Sequence, residues 1–186
     1  MTTASEDPAS FIQDPQTKNI VFNAEDYAGI SAGQSTAWLE VDDSALMAGS
    51  GMEASPDNGT QFLFGDGPRL DYPVVFSETG EYRVWVRGRA QPGILVQNDS
   101  IFVGLDGLSN SFQSSRFDGF RGSLSWSIQL FRVQETGLHM LNLFVREDGF
   151  LVDAVMITKL GDPNLQVPPS HFGEDGLPVL SAVGAP

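Results

Sequence analysis

The sequence contains no cysteine, so neither a disulfide framework nor a cysteine-bound zinc site contributes to its fold. It has two histidines, His139 and His171, and no nucleophile-elbow signature accompanies either of them, which leaves no Ser-His-Asp arrangement to build on. Gly-x-Gly-x-x-Gly and Gly-x-x-x-x-Gly-Lys are absent, so there is no phosphate loop. No apolar run approaches the ~20 residues of a membrane-spanning helix, and Met1 to Pro15 lacks the basic-then-apolar order of a signal peptide. Positive charge is scarce: 10 Lys and Arg stand against 24 Asp and Glu, a net charge of −14. A surface of that sign repels phosphate backbones and anionic head groups, so nucleic acid and membrane partners are not expected, while neutral ligands and cations are.

What the 186 residues do contain is 20 Gly and 11 Pro, well above the usual ~12% for the two together, and hence many turns. Residues 1–18 are polar, aperiodic and interrupted by Pro8 and Pro15, which reads as an N-terminal tail. Residues 161–186 carry Pro163, Pro168, Pro169, Pro178 and Pro186 and read as a second, extended tail. Between them, over 19–160, apolar residues alternate with period two and turn signals recur at short intervals. Nine strands are expected, at Asn19–Glu25, Thr36–Asp42, Gly51–Ser55, Leu70–Phe76, Glu81–Arg89, Ser100–Leu105, Leu124–Val133, His139–Arg146 and Leu151–Thr158. Only Asp43 to Ala48 has the pattern of a helical turn. Many short antiparallel strands must close into a sandwich or barrel to protect their edges, so the class is all-β.

Parity assigns the faces of these strands. Tyr82, Val84 and Val86 form a core set, which leaves Arg83, Trp85, Arg87 and Arg89 on the other side of the strand. Likewise Leu141, Leu143 and Val145 leave Asn142, Phe144 and Arg146 outside, and Ile101, Val103 and Leu105 leave Phe102 outside. If the three strands share a sheet, its outer face is aromatic and basic. In the last strand, parity puts Asp153 on the side of Leu151, Val155 and Ile157. A carboxylate there costs several kcal/mol unless it is paired or metal-bound. An arginine or a calcium ion would satisfy it, and Glu25 with Asn23 on the first strand offers further oxygens.

Several stretches together resemble carbohydrate-binding modules of families 6 and 35. They are Asn23-Ala24-Glu25-Asp26-Tyr27, Leu70-Asp71-Tyr72-Pro73-Val74, Gly80-Glu81-Tyr82-Arg83-Val84-Trp85-Val86-Arg87, Asp99 to Gly107, Gly137 to Leu141, and Arg146 to Asp153. The resemblance covers roughly residues 19–160 and implies a jelly-roll β-sandwich of two antiparallel sheets, similar to galactose-binding domains. It implies polysaccharide or glycan binding without catalysis, outside the cell, beside an attached or partner glycan-degrading enzyme. It also implies a structural calcium on Asn23, Glu25 and Asp153, where Asn23 replaces the family's first Glu and backbone carbonyls near Leu46 to Gly49 would have to help.

Two sugar sites are open under this resemblance, because a pyranose needs a flat aromatic ring beneath it and forked hydrogen bonds to its hydroxyls. A cleft at the loop end would use Trp126, Phe150, Glu147, Asp148 and Trp38. A sheet-face site would use Trp85, Phe102, Asn142, Phe144, Arg83, Arg87 and Arg146. Since 13 of the 19 aromatic residues are Phe, most of them are expected in the core. A different class of function remains open on the same fold: a structural or assembly subunit of a filament, surface layer or virion. In that reading the two tails and the outer-face residues Trp85, Phe102, Phe144, Ile128 and Leu130 would make homo-oligomeric contacts.

Overall fold

The structure is a computed structural model that describes residues 10–33, 35–91, 98–109 and 115–161. Residues 1–9 of the expected N-terminal tail and all of the C-terminal one after residue 161 fall outside these residues, as does His171. Among the described residues thirteen strands form two sheets: β1 (Phe11–Ile12), β2 (Asn19–Asn23), β3 (Gly29–Ser31), β4 (Ala37–Asp42), β5 (Ser50–Ser55), β6 (Arg69–Phe76), β7 (Gly80–Ala90), β8 (Ile101–Leu105), β9 (Leu108–Ser109), β10 (Arg116–Phe117), β11 (Ser125–Val133), β12 (Gly137–Val145) and β13 (Phe150–Lys159). The first sheet runs β1-β6-β12-β8-β10, with β3 on β6 and β9 on β8. The second runs β11-β7-β13-β5-β4, with β2 on β13. All pairings are antiparallel except β1 with β6.

All nine expected strands are present, and the β-sandwich with them. Four short ones have no strand-length alternation in the sequence: β1, β3, β9 and β10. The first of these corrects the tail expected over 1–18, because Phe11–Ile12 pairs with Val74–Val75 and Phe11 packs on the core. Gln13 fixes that segment by accepting hydrogen bonds from the Ser77 backbone N–H (2.9 Å) and hydroxyl (2.7 Å). Asp43 to Ala48 is a turn rather than a helix, closed by Leu46 N–H to Asp43 O at 2.9 Å.

The core lies between the sheets. Leu70, Tyr72 and Val74 of β6 and Leu141, Leu143 and Val145 of β12 face Tyr82, Val84 and Val86 of β7 and Val152, Val155 and Ile157 of β13. Burying one such side chain contributes on the order of 1.5–3 kcal/mol. Where β7 passes under β13 only glycine fits at 88, since a Cβ there would lie 2.5 Å from the Leu151 carbonyl oxygen.

The parity expected for β13 fails at one residue. Its pairing with β7 shifts register between Val152 and Ala154, a β-bulge at Asp153. Phe150 and Val152 therefore share the core face with Val155 and Ile157, whereas Leu151, opposite Arg89, lies on the other side. The physical cause is a change of neighbour: β13 pairs with β5 at Leu151 and Val152, and with β2 from Ala154 to Thr158. Asp153 sits at that junction, and its carbonyl accepts the Ala24 N–H at 2.8 Å.

The faces of β7 stand as parity assigns them, with Tyr82 fully buried and Trp85 half-buried on the opposite side. Tyr82→Ala should cost about 3–5 kcal/mol and Trp85→Ala clearly less. Thermal melts of the two variants check this, and a lower melting temperature for Trp85→Ala would show the strand to be inverted.

Candidate functional site

The residues expected to gather at a loop-end cleft do not do so. Trp38 is a core residue whose indole N–H donates to the Pro68 carbonyl at 3.2 Å. Phe150 packs inside against Phe120, ring centroids 4.8 Å apart. Glu147 is buried and occupied: its carboxylate takes the Asp99 N–H (3.0 Å), the Ser100 hydroxyl (2.5 Å) and Arg146. Asp148 is likewise buried and accepts the N–H groups of Asn58 (3.1 Å) and Gly59 (3.0 Å), which pins the loop after β5. These two carboxylates are loop anchors, because buried acids persist only where such donors satisfy them.

The expected sheet-face set divides between two sheets. Asn142 and Phe144 of β12 and Phe102 of β8 lie on the outside of the first sheet, where Phe144 stands opposite Phe102. That face is covered by the chain's own 61–68 loop. Phe64 packs on Phe144 at 4.8 Å and on Phe102 at 5.7 Å, and the Arg69 and Arg146 guanidinium groups lie over the Phe144 and Phe102 rings at 5.8 and 5.9 Å. Asn142 is buried, donating to Asp71 at 2.5 Å and accepting from the Gly107 N–H at 2.7 Å. The correction has a simple physical reason: an apolar outer row invites cover, and Phe64 supplies it.

The outer face of the second sheet brings together residues from both expected sets. On β11, Trp126 stands opposite Arg87, Ile128 opposite Trp85 and Leu130 opposite Arg83. Trp85 and Trp126 are thus diagonal neighbours, a spacing of roughly 7–8 Å between strands. Trp85 is oriented by its indole N–H, which donates to the Thr158 hydroxyl at 3.2 Å.

The pattern of β11 is inverted relative to a core strand. Its polar alternates Ser127 and Gln129 stand opposite the core residues Val86 and Val84, and they donate to the Asp118 carbonyl (3.2 Å) and the Arg116 carbonyl (2.9 Å). Its apolar alternates Trp126, Ile128 and Leu130 face outward, with Ile128 39% exposed. The outward side of Ile128 and Leu130 is the one the sequence expects, whereas Trp126, expected at the loop-end cleft, is set beside them on the sheet face only by the structure.

Asp153 is wholly buried, and its bulge turns the carboxylate toward this same outer side, where it pairs with Arg87 and accepts the Met47 N–H at 2.9 Å. Burial pushes its carboxyl above the usual range, with the Met47 N–H and Arg87 acting against that rise. Glu25 accepts the Ser50 hydroxyl at 3.0 Å through one oxygen, while its Oε2 is buried without a partner. Desolvation raises its carboxyl too, and the charges of Asp26 and Asp153 add to the rise. Asn23 is turned away, donating to Asp26 at 3.2 Å. Among the described residues no three His, Asp or Glu side chains converge.

No protein-family model matches the chain, and no curated protein matches it. Solved structures do. The C-terminal family 6 carbohydrate-binding module of the laminarinase LamC from Zobellia galactanivorans aligns with TM-score 0.52 and 15% identity over 76% of this chain and 99% of that one. A family 35 module from Clostridium thermocellum gives 0.53 and 13%, over 76% and 98%. The CBM36-1 domain of a multidomain xylanase from the hindgut metagenome of Trinervitermes trinervoides gives 0.50 and 15%, over 77% and 98%. An exo-β-1,3-galactanase from Phanerochaete chrysosporium also aligns, but this chain covers 29% of it. The chain therefore has the jelly-roll sandwich fold of carbohydrate-binding modules, matching the family resemblance read from its motifs.

Four buried or half-buried acids carry a pH signature. Glu25, Glu53, Asp99 and Asp153 all sit above their ordinary values, desolvation being the largest cause in each. For such groups the folded state binds more protons than the unfolded state, so stability rises as pH falls through the folded pKa. Asp14, Asp43 and Glu78 are held below theirs, the first two mainly by backbone N–H groups and Glu78 mainly by Lys159, and what they contribute is lost only at lower pH. Without added metal, melting temperature should rise as pH falls from neutrality toward the ordinary carboxylate range and fall again below that range. A steady fall from pH 7 downward would contradict this assignment.

Proposed function

We propose that this chain is a non-catalytic polysaccharide-binding module that works outside the cell, beside an enzyme acting on the same glycan, and that its binding surface is the outer face of the second sheet. One observation carries the reading: β11 presents Trp126, Ile128 and Leu130 outward beside Trp85 while its polar side chains face in. The C–H face of a pyranose packs on an indole ring, and hydrogen-bonding groups at the edge of the face select among hydroxyls. Similarity of fold to modules from a laminarinase and a xylanase supports the same class. The charge of −14 favours neutral glycans over uronates, and Arg87, the cross-strand partner of Trp126, is paired with Asp153.

A structural calcium belongs to this proposal. The orphaned buried oxygen of Glu25 lacks a cation, and Asp153, which already pairs with Arg87, lies close enough to raise the Glu25 carboxyl; these two side chains would hold the ion. Hydroxyl and carbonyl oxygens would complete the shell, as calcium accepts, with Ser50 already beside Glu25. Asn23 takes no part in the arrangement seen here.

Two measurements test the reading. In affinity gels over neutral and acidic polysaccharides, Trp126→Ala and Trp85→Ala should each weaken retention on one neutral glycan on the order of tenfold, ~1.4 kcal/mol. Retention on none, or undiminished retention in both variants, removes the proposal. Calcium should raise the melting temperature of the native chain, by about 2.7 kcal/mol of stability at 100 times its Kd. Glu25→Gln should abolish that response while stabilising the metal-free protein, because it removes the unpaired buried charge. A melt indifferent to both calcium and chelator excludes the ion.

A further inference from the structure

Six residues beyond Trp126, roughly 20 Å along β11, a second concavity opens where the two sheets meet at their turns. It is a cavity of about 370 Å³ between the β8–β9 hairpin of the first sheet and the β11–β12 crossover from the second. Its floor is apolar, made by the buried ring of Phe131 with Leu105 beside it, while Leu108, 70% exposed, stands at the edge.

Its walls are fixed from within. Asp106 occupies the left-handed region (φ 55°) ahead of Gly107 in the hairpin turn. Its Oδ1 accepts the Met140 N–H at 2.8 Å, and its Oδ2 lies 2.7 Å from Nδ1 of His139. The other ring nitrogen of His139 lies 2.9 Å from the Glu135 carbonyl oxygen, so the ring sits between the hairpin and the crossover. Arg132 is held by Glu81 at 3.0 Å. By contrast, the side chains of Ser109, Gln134 and Glu135 line the mouth and make no hydrogen bond to another described residue.

We infer that this cavity is a second carbohydrate subsite that takes a single neutral pyranose unit, an inference that rests on the carbohydrate-binding reading above. An apolar floor for the C–H face, a hydroxyl, an amide and a carboxylate at the rim, and walls that need no rearrangement are what recognition of a polyol requires. The volume lies at the lower end of ligand pockets, about 300–1,000 Å³, which suits one sugar rather than a chain segment. The carboxylates of Asp106 and Glu135 select against uronates by like-charge repulsion. Glycan bound at two places so far apart on one rigid module gains in avidity without further contacts.

The test is a nitrogen-15 NMR titration of the full chain with cellotriose, laminaritriose, xylotriose and β-1,3-galactotriose at ~10 mM, suited to millimolar affinities. Saturable shifts are expected at the amides of Leu105 to Ser109 and of Gln134 and Glu135 with at least one probe. They should persist in Trp126→Ala and vanish in Gln134→Trp, an exposed position whose indole would fill the cavity. Absence of such shifts with all four probes, or their survival in Gln134→Trp, overturns the inference. Retention on polysaccharide gels is read in parallel. If it holds while the cavity amides stay still, only the subsite falls, and if both fail the carbohydrate reading falls with it.

Discussion

The ion pair between Asp153 and Arg87 is the interaction on which the second sheet depends. A wholly buried carboxylate is tolerable only with such a partner, and removing one member of a buried pair costs about 3–5 kcal/mol. It sits at the bulge where β13 exchanges β5 for β2 as neighbour. The same residue therefore terminates one pairing, begins another through Ala24, and anchors the 43–49 turn through the Met47 N–H. Tyr72, reaching from the opposite sheet, donates its hydroxyl to the Ala24 carbonyl at 2.6 Å, so both layers are registered on this point.

Around that junction the sandwich treats its two outer faces differently. The first sheet carries an aromatic row, Phe102 and Phe144, and closes it with Phe64 from the loop after β5. Leu63, next in the chain, is left 75% exposed. The second sheet carries its own apolar row on β11 and keeps the polar alternates inward, where carbonyls of the β10 region satisfy two of them. Apolar side chains outside and hydrogen-bonded polar ones inside gain nothing for folding. Such an arrangement is the local conflict with foldability that proteins retain at binding surfaces.

Sites built on strands are positioned more rigidly than sites built on loops, and this bears on both surfaces discussed above. The tryptophan face rests on β7 and β11, paired over nine consecutive residues. The turn-end cavity rests on the termini of β8 and β11 and on an imidazole that sits between the hairpin and the crossover. The loop-end carboxylates Glu147 and Asp148 are committed to holding backbone, which is how two loops, 57–60 and 98–100, keep a fixed shape.

By itself the sequence determined the all-β class, nine strands, the core faces of β7, β8 and β12, and the family likeness, because alternation and turn residues are local quantities that each strand carries alone. It also determined that Asp153 needs a partner, since a carboxylate within an apolar strand has few alternatives. Only the tertiary structure decided that the partner includes Arg87, for a bulge shifts parity wherever a strand changes neighbours and leaves no mark in the pattern. It likewise decided where the aromatic residues sit: Trp38 in the core, Phe102 beneath Phe64, and Trp126 on the outer side of the second sheet. The turn-end cavity was invisible beforehand for the same reason. Asp106, Gln134 and His139 are ordinary turn and strand residues until the hairpin of one sheet is set beside the crossover of the other.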